Sequence, residues 1–294
     1  MVRRIRRFPE NNYVAVFADG KTARLPVDSS RPIGYPPYPE IVDVAINDKC
    51  FGKCSYCYIS AVSGGTNYPD ILEKCDMWLG GMEENDRPLQ IAIGGAGEPT
   101  LHPDFPEFLE KVFSYNVLPN FTTNGMHLSK VLPKIRHLDT GVALTTHPHL
   151  DRFWRKGVER VNAEDMFLNL HIIIGEQGSM RRFSRIYREY KDAVKYFVLL
   201  HYKAIGRAKP VERETEFKAL RSWLEENPGS QVAFGAGFSK FLEDNADVVQ
   251  VYKWPEHAYS AYLDFNSMGV WRSSFEWNTP ALFHLGGNHE FRID

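Results

Sequence analysis

The sequence predicts an α/β fold: a partial, TIM-like (β/α)6 barrel with an N-terminal β-hairpin and a small α+β C-terminal extension. Three observations predict it. Six short apolar runs alternate with amphipathic stretches between residues 41 and 228, the pattern of parallel strand–helix units. Six units fall two short of a closed eightfold barrel, so an open barrel is the simplest arrangement. The alternation fails from Gln231 onward, and residues 1–40 hold only a hairpin signal and a Pro-rich link. The expected parts are therefore 1–40, 41–228 and 229–294.

In order along the chain, Tyr13–Ala18, the Asp19-Gly20 turn and Lys21–Val27 read as a hairpin, because glycine accepts the positive φ of a tight turn. The run from Arg31 to Pro39 continues as an extended link. Expected barrel strands are Ile41–Ile46, Leu89–Ile93, Val117–Thr122, Gly141–Thr145, Phe167–Ile174 and Phe197–Tyr202. The helices between and after them are Tyr68–Met82, Phe105–Tyr115, Ser129–Arg136, Leu150–Val158, Met180–Lys195 and Val211–Glu226. Gln231–Phe238, Tyr259–Asp264 and Val270–Phe275 read as short strands and turns of the extension.

The 294 residues are 43% hydrophobic, enough for one full α/β domain and an appendage. A formal net charge of −2 gives no global field that favours nucleic acid or membrane. The cluster Arg3-Arg4-Ile5-Arg6-Arg7 reads as a solvated tail rather than a phosphate-binding arm. It lacks the apolar core of a signal peptide, and no apolar run reaches the length of a membrane span. A soluble, cytoplasmic protein is the expectation.

Four cysteines occur, and Cys50, Cys54 and Cys57 lie within eight residues directly after the first barrel strand. Clustered cysteines of this kind bind metal or do chemistry more often than they form disulfides. Spacings of three and two residues let one loop present three thiolates to a [4Fe–4S] cluster and leave one iron without a protein ligand. Two alternatives stay open on spacing alone. Zinc would want four closed ligands in paired Cys-x-x-Cys form, and a ferredoxin would want a fourth well-placed cysteine.

With an aromatic before its last cysteine, Cys50-Phe51-Gly52-Lys53-Cys54-Ser55-Tyr56-Cys57 resembles the signature of the radical S-adenosylmethionine (radical SAM) superfamily. Two further segments follow in the same order as in that family: Gly94-Gly95-Ala96-Gly97-Glu98-Pro99 after the second strand, and Thr122-Thr123-Asn124-Gly125 after the third. Ala96 departs from the family's glycine, a change a small side chain tolerates. The resemblance implies a [4Fe–4S] cluster on Cys50, Cys54 and Cys57 and S-adenosylmethionine chelated at the open iron. It places the methionine end at Gly95, Ala96, Gly97 and Glu98, the adenine near Tyr56, and Asn124 in the neighbouring turn. It also implies a one-electron donor such as flavodoxin or ferredoxin.

Other positions carry two readings each. Thr145 and His147 end the fourth strand, as cofactor contacts or as capping or substrate-facing groups. His171 and Ile173 fall where the family has a loose adenine-binding pattern, and Ile173 reads as core. Lys203 and Arg207 follow the sixth strand, where two cations suit a carboxylate or phosphate of the substrate, or belong to a solvated loop with an Arg that anchors a helix. Cys75, on a predicted helix, reads as a buried small hydrophobe, or as a hydrogen donor to a product radical.

The extension resembles in outline those that carry auxiliary clusters (the SPASM and twitch types), yet no cysteine follows Cys75 in the sequence. The expected function is therefore redox-neutral radical chemistry: isomerisation, elimination or epimerisation of a small molecule or modified nucleoside. The alternatives are a peptide-modifying maturase without auxiliary clusters, to which the hairpin would offer a strand edge, and a non-catalytic iron–sulfur regulator.

Overall fold

The computed structural model describes residues 2–18, 21–36, 38–249, 259–276 and 279–285. The expected Asp19-Gly20 turn lies outside them. Residues flanking it pair antiparallel as expected, and a third strand adds to them in the order β1 (Val2–Phe8), β2 (Tyr13–Ala18) and β3 (Lys21–Pro26). The basic cluster is thus strand β1 and not a tail. Arg6 is 4% exposed, and its guanidinium donates to the carbonyl of Asn116 at 3.1 Å. Long arginine stems cover apolar surface while their heads find acceptors, so a basic run is compatible with a docked strand.

The barrel wall begins as expected, with β4 (Ile41–Ala45), β5 (Gln90–Ile93), β6 (Leu118–Thr123), β7 (Gly141–Thr145), β8 (Phe167–Ile174) and β9 (Tyr196–His201) paired in sequence and parallel. Helices α1 (Ile71–Gly80), α2 (Phe105–Ser114), α3 (Leu128–Ile135), α4 (Asp151–Ala163), α5 (Ser179–Tyr190) and α6 (Glu214–Glu226) connect and flank them. Their apolar faces meet the outer side of the sheet, where Phe105, Phe108, Trp154 and Phe183 are fully buried.

The C-terminal residues widen this wall. Strand β10 (Val232–Phe234) adds in parallel to β9, and α7 (Ser239–Asp244) follows it. Strand β11 (Ser260–Asp264) adds in parallel to β4 at the far edge; β12 (Gly269–Trp271) and β13 (Phe283–His284) follow antiparallel. The sheet order is β10-β9-β8-β7-β6-β5-β4-β11-β12-β13, an open barrel wall with eight parallel strands.

The N-terminal sheet covers the end of the barrel where the strands begin. Phe8, Tyr13 and Ala15 pack on Leu89 and Tyr259, the residues just before β5 and β11. Glu40, just before β4, is 1% exposed and accepts from Tyr13 Oη at 2.8 Å and from Arg24 Nε and Nη2 at 3.1 and 2.5 Å. Arg24 also lies over the Tyr259 ring at 3.6 Å. Removing one member of a buried pair leaves an uncompensated charge, at a cost of about 3–5 kcal/mol. Glu40→Ala should therefore lower the melting temperature by roughly 10 °C. A thermal melt that matches the parent chain would show that this network does not fasten the sheet to the barrel.

Candidate functional site

A cavity of about 440 Å³ opens where the barrel strands end. Its depth and rim are built by the loops after β4, β5 and β6, the ends of β7 to β9, and the segments after β10 and β12.

The loops after β4 and β5 are joined by backbone. Gly97 N donates to Asn47 O at 2.9 Å, Glu98 N to Lys49 O at 2.8 Å, and Asn47 Nδ2 to Glu98 O at 2.9 Å. A methyl group at Gly97 would stand 2.6 Å from Lys49 O and 2.7 Å from Lys49 N. This glycine is therefore required by the close approach of two loops, before any ligand is considered.

Cys50, Cys54 and Cys57 all line the cavity. Gly52 N donates to Cys50 Sγ at 3.3 Å, and Asn124 Nδ2 reaches it at 3.8 Å. His149 Nε2 stands 3.6 Å from Cys54 Sγ and 2.7 Å from Gly52 O. Burial raises the Cys50 thiol and pushes Cys54 up to about 12. Three soft sulfur donors from one loop, met by N–H groups, suit an iron–sulfur cluster that takes three protein thiolates and keeps one iron open.

Arg207 corrects a sequence expectation. Its guanidinium does not line the cavity; it donates to Cys54 O at 3.1 Å and Ala61 O at 2.8 Å, while its own N–H donates to Cys57 O at 3.0 Å. Gly206 holds φ at +63°, and a methyl group there would strike Tyr58 O and lie 2.7 Å from Cys57 O. The segment after β9 therefore braces the cysteine loop from behind. Charged donors to carbonyls contribute about 1.5–3 kcal/mol, so Arg207→Ala should speed cluster loss in air roughly tenfold. The loss of absorbance from the reconstituted protein measures this, and an unchanged rate would deny the brace.

Glu98 is 3% exposed and gathers four donors. Oε1 accepts from Thr100 Oγ1 at 2.5 Å, Thr123 Oγ1 at 2.6 Å and Thr100 N at 3.4 Å; Oε2 accepts from Asn124 N at 2.9 Å. Burial raises its carboxyl while these donors pull it back. Gly95, Ala96 and Gly97 line the cavity beside it, with Asn124 across from them.

On the opposite wall are Tyr56, Thr145, His147 and His171. Tyr56 Oη and His147 Nδ1 are 2.8 Å apart. Burial first, then the charges of His149 and Arg182, pushes His147 down to about 3, and burial alone brings His171 to about 4. Both imidazoles are neutral near pH 7, hydrogen-bonding groups rather than acids. Ile173, expected in the core, lines the cavity because the alternation of β8 puts it on the same face as His171.

Lys203 lines the cavity with its ammonium 3.7 Å from the Phe275 ring centre. Cys75 does not line it. The thiol is fully buried with Ile71, Trp78 and Leu79 on α1, and burial pushes it up to about 12, so it stands away from any reacting atom. Among the cavity groups that sequence reasoning missed are Asp43, Tyr58, Arg272 and Ser274. Tyr58 Oη donates to Gly95 O at 3.1 Å and meets Ser274 Oγ at 3.3 Å, joining the cysteine loop to the C-terminal segment. An aromatic directly after Cys57 and a lone acid within an apolar strand were the available signals.

The family profile described as the Radical SAM superfamily matches residues 44–196. No curated protein sequence gives a significant match. Among solved structures, Streptococcus suis SuiB bound to precursor peptide SuiA superposes with a TM-score of 0.67 at 11% identity, over 88% of this chain and 66% of that one. SuiB bound to S-adenosylmethionine gives 0.63 at 13% identity, over 86% and 63%. The chain thus spans slightly less than two thirds of SuiB. Histidine-tagged anSMEcpe with bound AdoMet gives 0.60 at 14% identity, over 84% and 75%. These likenesses establish the fold, and with the profile match over more than half of the sequence the conclusion follows: the chain belongs to the radical SAM superfamily, whose cofactors are a [4Fe–4S] cluster and S-adenosylmethionine.

Proposed function

We propose that the chain is a single-cluster radical SAM enzyme that takes a hydrogen atom from a compact substrate and carries it through a redox-neutral isomerisation, elimination or epimerisation. The observation that carries this reading is the shared cavity. One space of about 440 Å³ is lined by the three clustered cysteines, the Gly95–Glu98 turn, Lys203 and the Arg272–Phe275 segment. Cofactor and substrate held there would be neighbours, as a short-lived radical requires.

When bound, the cofactors supply one-electron cleavage of a sulfonium to a 5′-deoxyadenosyl radical. The protein's part is ligation, orientation and shielding. Cys50, Cys54 and Cys57 would hold the cluster. Backbone at Gly95, Ala96 and Gly97, with the remaining acceptor capacity of Glu98, would receive the methionine ammonium. Asn124, Thr145, His147, His171 and Tyr56 would bound the ribose and adenine. Lys203 and Arg272 would face an anionic group of the substrate, in place of the Lys203–Arg207 pair expected from sequence. An external donor such as flavodoxin or ferredoxin would supply the electron.

The redox-neutral outcome is supported by the cysteine inventory: four in the sequence, three at the cavity and Cys75 in the core. A peptide substrate is the second reading, favoured by fold likeness to SuiB bound to precursor peptide SuiA. Against it, the N-terminal sheet packs where the strands begin, at the opposite end from the cysteine loop, so its edge is not beside the cavity. Anaerobic turnover of candidate small molecules, nucleosides and peptides, read by 5′-deoxyadenosine and product mass, tests both readings. Products whose summed mass equals the substrate's are expected. A product lighter by two hydrogens would overturn the redox-neutral assignment, and turnover confined to peptides would favour the second reading.

A further inference from the structure

Strand β4 reads Ile41-Val42-Asp43-Val44-Ala45, with one acid in a run of apolar residues. Its carboxylate lines the cavity rather than the outer packing. In the sheet, Asp43 sits level with Ala92 of β5 and Tyr262 of β11. Neither neighbour is a cation. Among the described residues no hydrogen bond or ion pair reaches the Asp43 side chain, although the cavity also contains Lys203 and Arg272. Its charge is felt at two phenols, Tyr58 and Tyr262.

Asp43 is half-buried, its carboxylate open only to the cavity, and a partly desolvated carboxylate without a partner is costly unless a cation joins it there. We propose that Asp43 anchors a protonated amine of the substrate, so that the molecule processed in this cavity is an amine. This rests on the radical-enzyme reading for its location and deepens it by naming a substrate class. The surroundings suit an ammonium: one carboxylate to pair with it and the Tyr58 ring on the wall of the same cavity. The methionine ammonium of the cofactor has its own place at the Gly95–Glu98 turn. That turn begins three residues beyond Ala92, the residue level with Asp43, toward the end of the barrel where the cavity opens. With burial bringing Asp43 to about 6, it is ionised at neutral pH, and an arriving cation would favour that form further.

The test uses the reconstituted holoenzyme saturated with S-adenosylmethionine, at pH 7.5 and without oxygen. Binding of n-butylamine, protonated at that pH, and of n-butanol is measured by ligand-observed NMR for the parent chain and for Asp43→Asn. A parent preference of at least about tenfold for the amine is expected, as charged hydrogen bonds allow, and it should vanish in Asp43→Asn. Asp43→Ala serves the same comparison if the asparagine chain does not fold. Equal binding of amine and alcohol by the parent chain, or an amine preference that survives both substitutions, would overturn the proposal. Formation of 5′-deoxyadenosine by the parent chain reads the radical-enzyme proposal separately. Amine preference without that product would keep the amine site and remove the radical chemistry; the product without amine preference would do the reverse.

Discussion

Cys54→Ala is expected to abolish cluster assembly and reduce 5′-deoxyadenosine formation to the detection background, whereas Cys75→Ala is expected to keep both. All four cysteines occur in a stretch of 26 residues, from Cys50 to Cys75, yet their surroundings divide them. Cys54 lines the cavity in the loop braced by Arg207 and faced by His149. Three thiolates are the whole protein share of such a cluster, so losing one leaves two irons without protein ligands. Cys75 is core, and truncating its small side chain should cost only about 1–2 kcal/mol of stability. Iron and sulfide content with the electron paramagnetic resonance of the reduced protein checks both. A cluster retained in Cys54→Ala, or lost from a folded Cys75→Ala, would contradict the division.

The second large effect is expected at Glu98. Its two oxygens accept from Thr100, Thr123 and the Asn124 backbone, which ties the turn after β5 to the turn after β6. Glutamine at this position would turn an NH2 group toward buried donors, each left unpaired at about 1–3 kcal/mol. Even one or two such losses predict S-adenosylmethionine binding weaker by roughly 30-fold or more. Iron content should persist, because the cysteine loop keeps its own brace at Arg207. Equilibrium binding of S-adenosylmethionine to the reconstituted variant reads this directly. An affinity equal to the parent's would mean that Glu98 does not organise the cofactor end of the cavity.

The sequence carried the six central strand–helix units plainly, because runs such as Phe167–Ile174 and Gly141–Thr145 are long enough to separate from their helices. It did not carry the full width of the wall. Strand β10 has three residues, and β11 pairs with β4 from the other end of the chain. Both lie in segments that read as short strands, but the partner a strand adds to leaves no local pattern, so their places beside β9 and β4 were not legible. The cysteine loop and the Gly95–Glu98 turn, which line one cavity, stood out as candidates because residue type and spacing mark them. Arg207 stayed open between two roles for the converse reason: a cation after a barrel strand can turn to a ligand or to a carbonyl, and spacing does not tell which. For Cys75, residue type favoured a small buried hydrophobe, and the structure buries it with Ile71, Trp78 and Leu79 on one face of α1. Asp43 was passed over because the strand pattern around it was read for its apolar members alone.

In the proposed function these residues assemble one cavity for a radical-generating cluster and its cofactor. Anaerobic reconstitution with iron and sulfide, followed by dithionite and S-adenosylmethionine, tests it with no substrate needed. A parent chain with four irons should release methionine and 5′-deoxyadenosine in equal amounts, and Cys54→Ala should release neither. A full cluster with no 5′-deoxyadenosine above the protein-free background would contradict the account and leave an iron–sulfur protein without this activity.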